Sequence, residues 1–147
     1  MNKTALTVLL ALTALACHES LSPADYSGTY ALRTVNGTAV PTAAPALPAG
    51  CSVGFESASL TLANGVFSIG CSVSFGCPGA NSFTPTWSTI AGTIESGGGR
   101  TTLRAFDPLS GQTMDMGLAF AGSDAVVMFP AGAITLAGAT TLEFVRR

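Results

Sequence analysis

Apolar and polar side chains alternate along most of the chain after about residue 25, and this period of two predicts β-strands. The clearest example is residues 114–120, where large apolar side chains alternate with small or acidic ones. The apolar members of that run are Met114, Met116, Leu118 and Phe120. Outside the first 16 residues no window sustains a helical period, and the many Gly and Thr residues disfavour long helices.

Turn residues divide the alternating pattern into short segments. Asn64-Gly65 lies between apolar runs at 53–62 and 66–75 and is the strongest hairpin signal in the chain. Asn36-Gly37 ends a first strand, whose Tyr30 and Leu32 share one face. Residues 42–50 are rich in Ala and Pro and are expected to form an extended loop. The remaining predicted strands are 87–94, 100–106, 114–120, 125–129, 133–136 and 141–145.

These segments predict an all-β fold of about eight or nine short strands. Eight antiparallel strands of this length form a closed or nearly closed barrel, or a small sandwich. Because the hairpins follow one another along the chain, we favour a single up-and-down antiparallel β-barrel. The length of 147 residues is that of one domain.

The first residues have the pattern of an export signal. Lys3 supplies a positive charge, and residues 5–16 form an apolar stretch that is too short for the roughly 20 residues of a spanning helix. We therefore predict a signal peptide at 1–16, a tether at 17–24 and a β-barrel domain at 25–147.

Cys17 follows this apolar stretch, and two kinds of processing fit the sequence. The run Ala14-Leu15-Ala16-Cys17 resembles the lipobox of bacterial lipoproteins, in which the cysteine is acylated and becomes the first mature residue. His18 replaces the Asp that often retains such proteins at the inner membrane, so the resemblance implies the outer membrane. Cleavage by an ordinary signal peptidase is the alternative, and it would leave Cys17 unmodified.

Three segments of the mature chain resemble small bacterial lipocalin-like lipoproteins. Residues 26–41 resemble their first strand and turn, 58–67 their hairpin and 142–146 their closing strand. The resemblance implies a lipocalin-like barrel in the cell envelope, and it implies little about activity because these motifs are structural.

The Asn64-Gly65 turn also sets the pairing of its two strands. Counting outward from the turn places apolar residues opposite one another on one face. These pairs are Leu62 with Phe67, Leu60 with Ile69, and Ala58 with Cys71.

Farther from the turn, the apolar residues of the first strand move from even to odd positions, which one bulge near Glu56-Ser57 would produce. The same bulge places Cys51 opposite Cys77 and predicts a disulfide between them. Reduced buried thiols remain an alternative, as does a bond from Cys71 to either of the other two cysteines. Cys71 is otherwise expected to be a small apolar core residue.

Composition excludes several chemistries. Six Lys and Arg residues against eight Asp and Glu provide no basic patch for nucleic acid. The single histidine, His18, lies beside the predicted anchor, and no paired Cys-x-x-Cys spacing suggests a metal site. Nothing in the spacing of the carboxylates brings two of them together, and each carboxylate is expected on the outer face of a strand or in a turn. Beyond Asp25, the carboxylates of the chain are Glu56, Glu95, Asp107, Asp115, Asp124 and Glu143.

We therefore expect a non-catalytic, lipid-anchored barrel of the bacterial outer membrane with a structural or interaction role, without metal or cofactor and with an unidentified protein partner. A carrier of a small apolar ligand is the alternative, and a carboxylate-dependent hydrolase is a third hypothesis. A carrier would line its cavity with apolar side chains, whereas a filled core would favour the first hypothesis. The candidate lining residues are Phe83, Trp87, Met114, Met116 and Phe120.

Overall fold

Ten β-strands and one short 3-10 helix make up the regular structure of residues 26–79, 86–107 and 111–147, which the computed structural model describes. The helix spans Ala133–Thr135. Among these described residues, no helix is long and apolar enough to cross a lipid bilayer. The strands are β1 Gly28–Val35, β2 Thr38–Ala39, β3 Thr42–Ala46, β4 Cys51–Ala63, β5 Val66–Gly76, β6 Thr86–Gly97, β7 Arg100–Asp107, β8 Gln112–Ala121, β9 Asp124–Phe129 and β10 Thr140–Arg146.

Eight of these strands close into an antiparallel up-and-down barrel, which confirms the predicted fold class. Strands β4 to β10 pair in sequence order, and β1 pairs with β10 on one side and with β4 on the other. The closing pair places Tyr30 opposite Leu60. Strands β2 and β3 lie outside the ring, and β3 pairs with residues 51–55 of β4.

Two predicted segments were wrong. Residues 42–46 form a strand rather than an extended loop, with Ala44 and Ala46 buried against the core. Pro45 is compatible with this strand because β3 is the last in the sheet order, and edge strands tolerate proline. Residues 133–136 were predicted as a strand, yet they form the 3-10 helix followed by Leu136, which is fully buried.

The apolar run at 133–136 has the composition of a strand but lacks the length for one. Gly132 precedes it in the left-handed region, at a φ of 83°, and turns the chain back over the end of the barrel. Leu136 then makes an isolated bridge to Ala46. Burial of its side chain against β3, rather than strand pairing, therefore explains why this run is apolar.

Alternate residues of each barrel strand point inward and fill the interior. Bulges at two places keep this alternation in phase, between Phe55 and Ser57 in β4 and between Leu32 and Thr34 in β1. Each bulge adds one residue and so moves the following apolar residues back to the inner face. Twelve large side chains are less than 2% exposed: Tyr30, Phe55, Leu60, Leu62, Ile69, Leu103, Met116, Val127, Phe129, Leu136, Leu142 and Phe144.

A close approach between β6 and β7 requires glycine at position 92. A Cβ built on Gly92 would collide with the backbone carbonyl group of Arg104 on the neighbouring strand. We expect Gly92→Ala to reduce the free energy of unfolding by about 1 to 3 kcal/mol, measured by urea denaturation. Gly97→Ala is the matched control on the same strand, because a Cβ there meets nothing within 4 Å. Equal stability of the two variants would contradict this packing.

Candidate functional site

The barrel has two distinct ends, which we name by the groups they carry. The proximal end carries Tyr26 and the tight turns at 64–65, 98–99 and 122–123. The distal end carries the turns at 36–37 and 47–50 and the segment 130–139.

A disulfide between Cys51 and Cys77 lies at the distal end, as predicted from the sequence. The two Cα atoms are 4.1 Å apart. The predicted register of the β4–β5 hairpin and its single bulge are also confirmed, since Phe55 pairs with Val73 and Ala58 with Cys71. The bond thus joins the two strands at the end of the hairpin that lies farthest from its turn.

Cys71 is the free cysteine of the described residues and lies in the core. Its side chain is on the inner face of β5, opposite Ala58. Burial raises the pKa of the Cys71 thiol to about 11. The thiol is therefore protonated at neutral pH, which makes it a poor nucleophile and a small apolar core group.

The candidate ligand-lining residues fall into two groups. Met114 and Met116 lie on the inner face of β8, both buried, and Phe120 follows on the same strand, partly buried. Phe83 and the side chain of Trp87 lie outside the described residues, as does Cys17, the predicted lipidation site.

The inner side chains of the described strands pack against one another. A cavity large enough to hold water would leave the side chains that line it partly accessible to water. The twelve large side chains named above are less than 2% exposed, so they do not line such a cavity. Met116, a candidate lining residue, is among these twelve. Its thioether is therefore surrounded by protein rather than facing an open space.

An aromatic cluster at the proximal end was not predicted. The ring of Phe120 stacks on that of Tyr26, with centroids 5.1 Å apart and planes 16° apart. The centroid of the Tyr30 ring is 6.5 Å from that of Phe120, and the planes of these two rings are inclined at 50°. The hydroxyl of Tyr30 donates to the carbonyl oxygen of Tyr26 at 2.6 Å. Burial raises the pKa of Tyr30, although the nearby charge of Arg146 opposes the shift, so the hydroxyl keeps its proton and can donate. These three rings cover the core where the chain enters the barrel.

Two arginines on the outer wall each bind a pair of carboxylates. Arg104 donates from Nε to Asp115 at 2.8 Å and from Nη1 to Glu95 at 2.9 Å. No two carboxylates were expected to come together, and that expectation is wrong for Glu95 and Asp115. Residues on three neighbouring strands meet here because β6, β7 and β8 present alternate residues to the same outer face.

The second cluster lies across β1, β9 and β10. Arg33 binds Asp124 at 3.2 Å and Glu143 at 3.5 Å, and the Thr34 hydroxyl donates to Glu143 at 2.7 Å. The bulge in β1 brings Arg33 and Thr34 to this position. Arg33 therefore also joins two carboxylates that are distant in sequence.

The charge state of the first cluster is that of an ion pair. The hydrogen bond from Arg104 lowers the pKa of Asp115 below its usual value. The same hydrogen bond, together with the charges of Asp115 and Glu95, raises the pKa of the Arg104 guanidinium. A glycosidase needs one carboxyl group with a raised pKa to donate a proton. The shift at Asp115 has the opposite sign, so the arrangement favours cross-strand pairing over acid catalysis.

The outer wall also has two open grooves. One, of about 680 Å³, has Gly117 and Ala119 on its floor, with Arg100, Thr102 and Met128 around it. The other, of about 390 Å³, lies beside the β4 bulge and is lined mainly by small residues together with Glu56. No group of three or more His, Cys, Asp or Glu in the described part of the chain could hold a metal ion.

Removing the disulfide should destabilise the barrel. The bond links residues 26 apart in sequence, and the chain-entropy estimate for such a loop is about 3 to 4 kcal/mol. We expect Cys51→Ala/Cys77→Ala to lower the free energy of unfolding by that amount in urea. A reductant should destabilise the parent protein to the same level and leave the double variant unchanged. Cys71→Ser serves as a comparison that retains the bond and instead buries a hydroxyl.

The Arg104 cluster predicts a measurable titration. NMR of the carboxyl carbons should give a pKa for Asp115 below 3.8, and Arg104→Gln should raise it towards that value. The pKa of Asp115 is lower in the folded protein than in the unfolded chain, so the ion pair stabilises the fold at pH values above the unfolded pKa. This stabilisation is lost as the pH falls through the folded pKa. Arg33→Gln should leave the pKa of Asp115 unchanged. An Asp115 pKa that is the same in Arg104→Gln as in the parent protein would contradict the ion pair.

No protein-family model, curated protein or solved structure matches this chain. The closed barrel of eight antiparallel strands is nevertheless compatible with a lipocalin-like fold, which the sequences of residues 26–41 and 58–67 imply by resemblance.

Proposed function

We propose that this protein is a non-catalytic, lipid-anchored β-barrel domain of the bacterial cell envelope, with a structural or interaction role. The packed interior is the observation that supports a structural or interaction role, because the inner side chains of the described strands bury one another. A barrel of eight strands can hold one small ligand or be filled by side chains, and dense packing supports the second arrangement. Its contacts with other molecules would then be made by its outer wall and its ends.

The cysteines support the anchor. Four are present, of which Cys51 and Cys77 are bonded and Cys71 is buried. Cys17 is the one that remains for modification, and it follows the apolar stretch 5–16. Disulfides persist in oxidising compartments, so the bond at the distal end supports export. Two or three acyl chains would hold the protein stably, whereas a single chain binds only marginally.

Replacing the proposed lipidation site tests the anchor. We expect Cys17→Ala to move the protein from the membrane fraction to the soluble fraction, because no acyl chain can be attached. Cys71→Ala is the matched control and should stay with the membrane. An intact mass that shows an unmodified Cys17 in the mature parent protein would overturn the anchor.

Titration with a fluorescent fatty acid separates the proposed role from that of a carrier. The packed interior predicts no saturable binding and no increase in melting temperature. Binding of one molecule for each barrel, weakened by Met116→Ala or Met114→Ala, would support a carrier instead.

A further inference from the structure

The larger of the two wall grooves runs along the outer face of β8. Gly117 and Ala119 form its floor, and both belong to the alternate residues of β8 that point away from the core. Thr102 on β7 and Met128 on β9 pair with Gly117 and border the groove on its two sides. The depth of the groove therefore comes from two successive outward positions of β8 that carry a small side chain or none.

The side chain of Met128 lies over Gly117. A Cβ built on Gly117 would lie 2.7 Å from the Cε atom of Met128, so this methionine reaches across β8 because position 117 has no side chain. Met128 is nevertheless 45% exposed. Its flexible thioether chain thus provides an apolar surface that adapts its shape to a contacting group.

Arg100 supplies a positive charge on the opposite side of the groove. Because Thr101 pairs with Leu118, the preceding Arg100 lies across from Ala119. Arg104 on the same strand is bound by carboxylates. In the described part of the chain, by contrast, no ion pair or hydrogen bond engages the side chain of Arg100. Its charge is therefore available to a carboxylate of another molecule.

The shape of the groove favours a protein segment over a small ligand. Pockets for small molecules are concave and bury most of the ligand surface, whereas this groove is open along the wall. A partner also cannot add a strand here, because β8 is already paired with β7 on one side and with β9 on the other. Binding must therefore use side chains, and methionine and arginine are both enriched where proteins contact one another.

We infer that this groove binds an extended segment of a partner protein that carries an apolar and an acidic side chain two positions apart. Gly117 and Ala119 are also two positions apart on β8, and two residues of extended chain span about 7 Å. The apolar side chain contacts Met128 above Gly117, and the carboxylate pairs with Arg100 beside Ala119. The inference rests on the proposed interaction role and assigns that role to one surface.

Selection from a library of random linear peptides on the full-length protein tests this site. Enriched peptides should share an acidic residue two positions from a large apolar residue. The affinity of a dye-labelled member of the enriched set is then measured by fluorescence anisotropy with the parent protein and with its variants.

Filling the floor of the groove should prevent binding. Ala119→Leu occupies the volume that the apolar side chain of the peptide needs, so the affinity should fall about tenfold or more. Ala91→Leu is the matched control, because Ala91 is also exposed on a strand of the wall and does not line the groove. A melting curve for each variant shows whether the barrel is folded.

A double-mutant cycle tests the pairing of Arg100 with the carboxylate of the peptide. Arg100→Gln, or replacement of the acidic residue of the peptide by Gln, should each weaken binding about fivefold. The two changes together should weaken binding no more than either change alone. Arg147→Gln removes the same charge outside the groove and should leave the affinity unchanged at physiological ionic strength.

Three results would overturn the peptide site. They are the absence of any enriched peptide, binding that survives Ala119→Leu, and an effect of the acidic residue that is the same with and without Arg100. Dimers of the full-length protein that Ala119→Leu dissociates would also overturn it, because the occupant would then be a second copy of this chain.

Failure of the groove and failure of the proposed function have separate readouts. Saturable binding of the fluorescent fatty acid that Met116→Ala weakens would make the barrel a carrier, whatever the peptides do. Absence of both peptide binding and fatty-acid binding would reject this groove alone and leave the interaction role to other surfaces of the barrel.

Discussion

Backbone pairing between β1 and β4 is the constraint on which the rest of this structure depends. Four residue pairs, from Gly28 with Leu62 to Ala31 with Ser59, close the sheet into a ring. Without them both strands would have open edges, which invite pairing with other chains. Closure also gives each strand an inner and an outer face, so the burial of an apolar residue depends on its place in this register.

The closing pair uses only part of β4. Its other half pairs with β3, and the disulfide from Cys51 holds it at the distal end, beyond the pairs that β1 makes. The bulges in β1 and β4 are the cost of keeping apolar residues inside over strands of this length. Closure, bulges and disulfide thus act together to keep one continuous core.

Asp107 and Thr140 are buried, contrary to the expected exterior or turn position of Asp107, whereas the two arginine clusters lie on the outer wall. The carboxylates of the two wall clusters pair with arginines across three strands, and exposed ion pairs of this kind contribute little to stability. The pairing holds Arg33 and Arg104 on the wall, while Arg100, Arg146 and Arg147 lie at the end where the chain enters the barrel.

The sequence by itself determined the all-β class, the register of the β4–β5 hairpin, its bulge and the pairing of Cys51 with Cys77. These follow from local geometry, because a two-residue Asn-Gly turn sets which residues of its own strands face each other. Only the tertiary structure decided that residues 42–46 form a strand, that Leu136 packs against it, and that Arg33 meets Asp124 and Glu143. Leu136 and Arg33 contact residues that are distant along the chain, so these contacts depend on the closed barrel rather than on any single turn. Residues 42–46 pair with the next strand across the turn at 47–50, and their Ala and Pro residues lack the alternating pattern that predicts a strand.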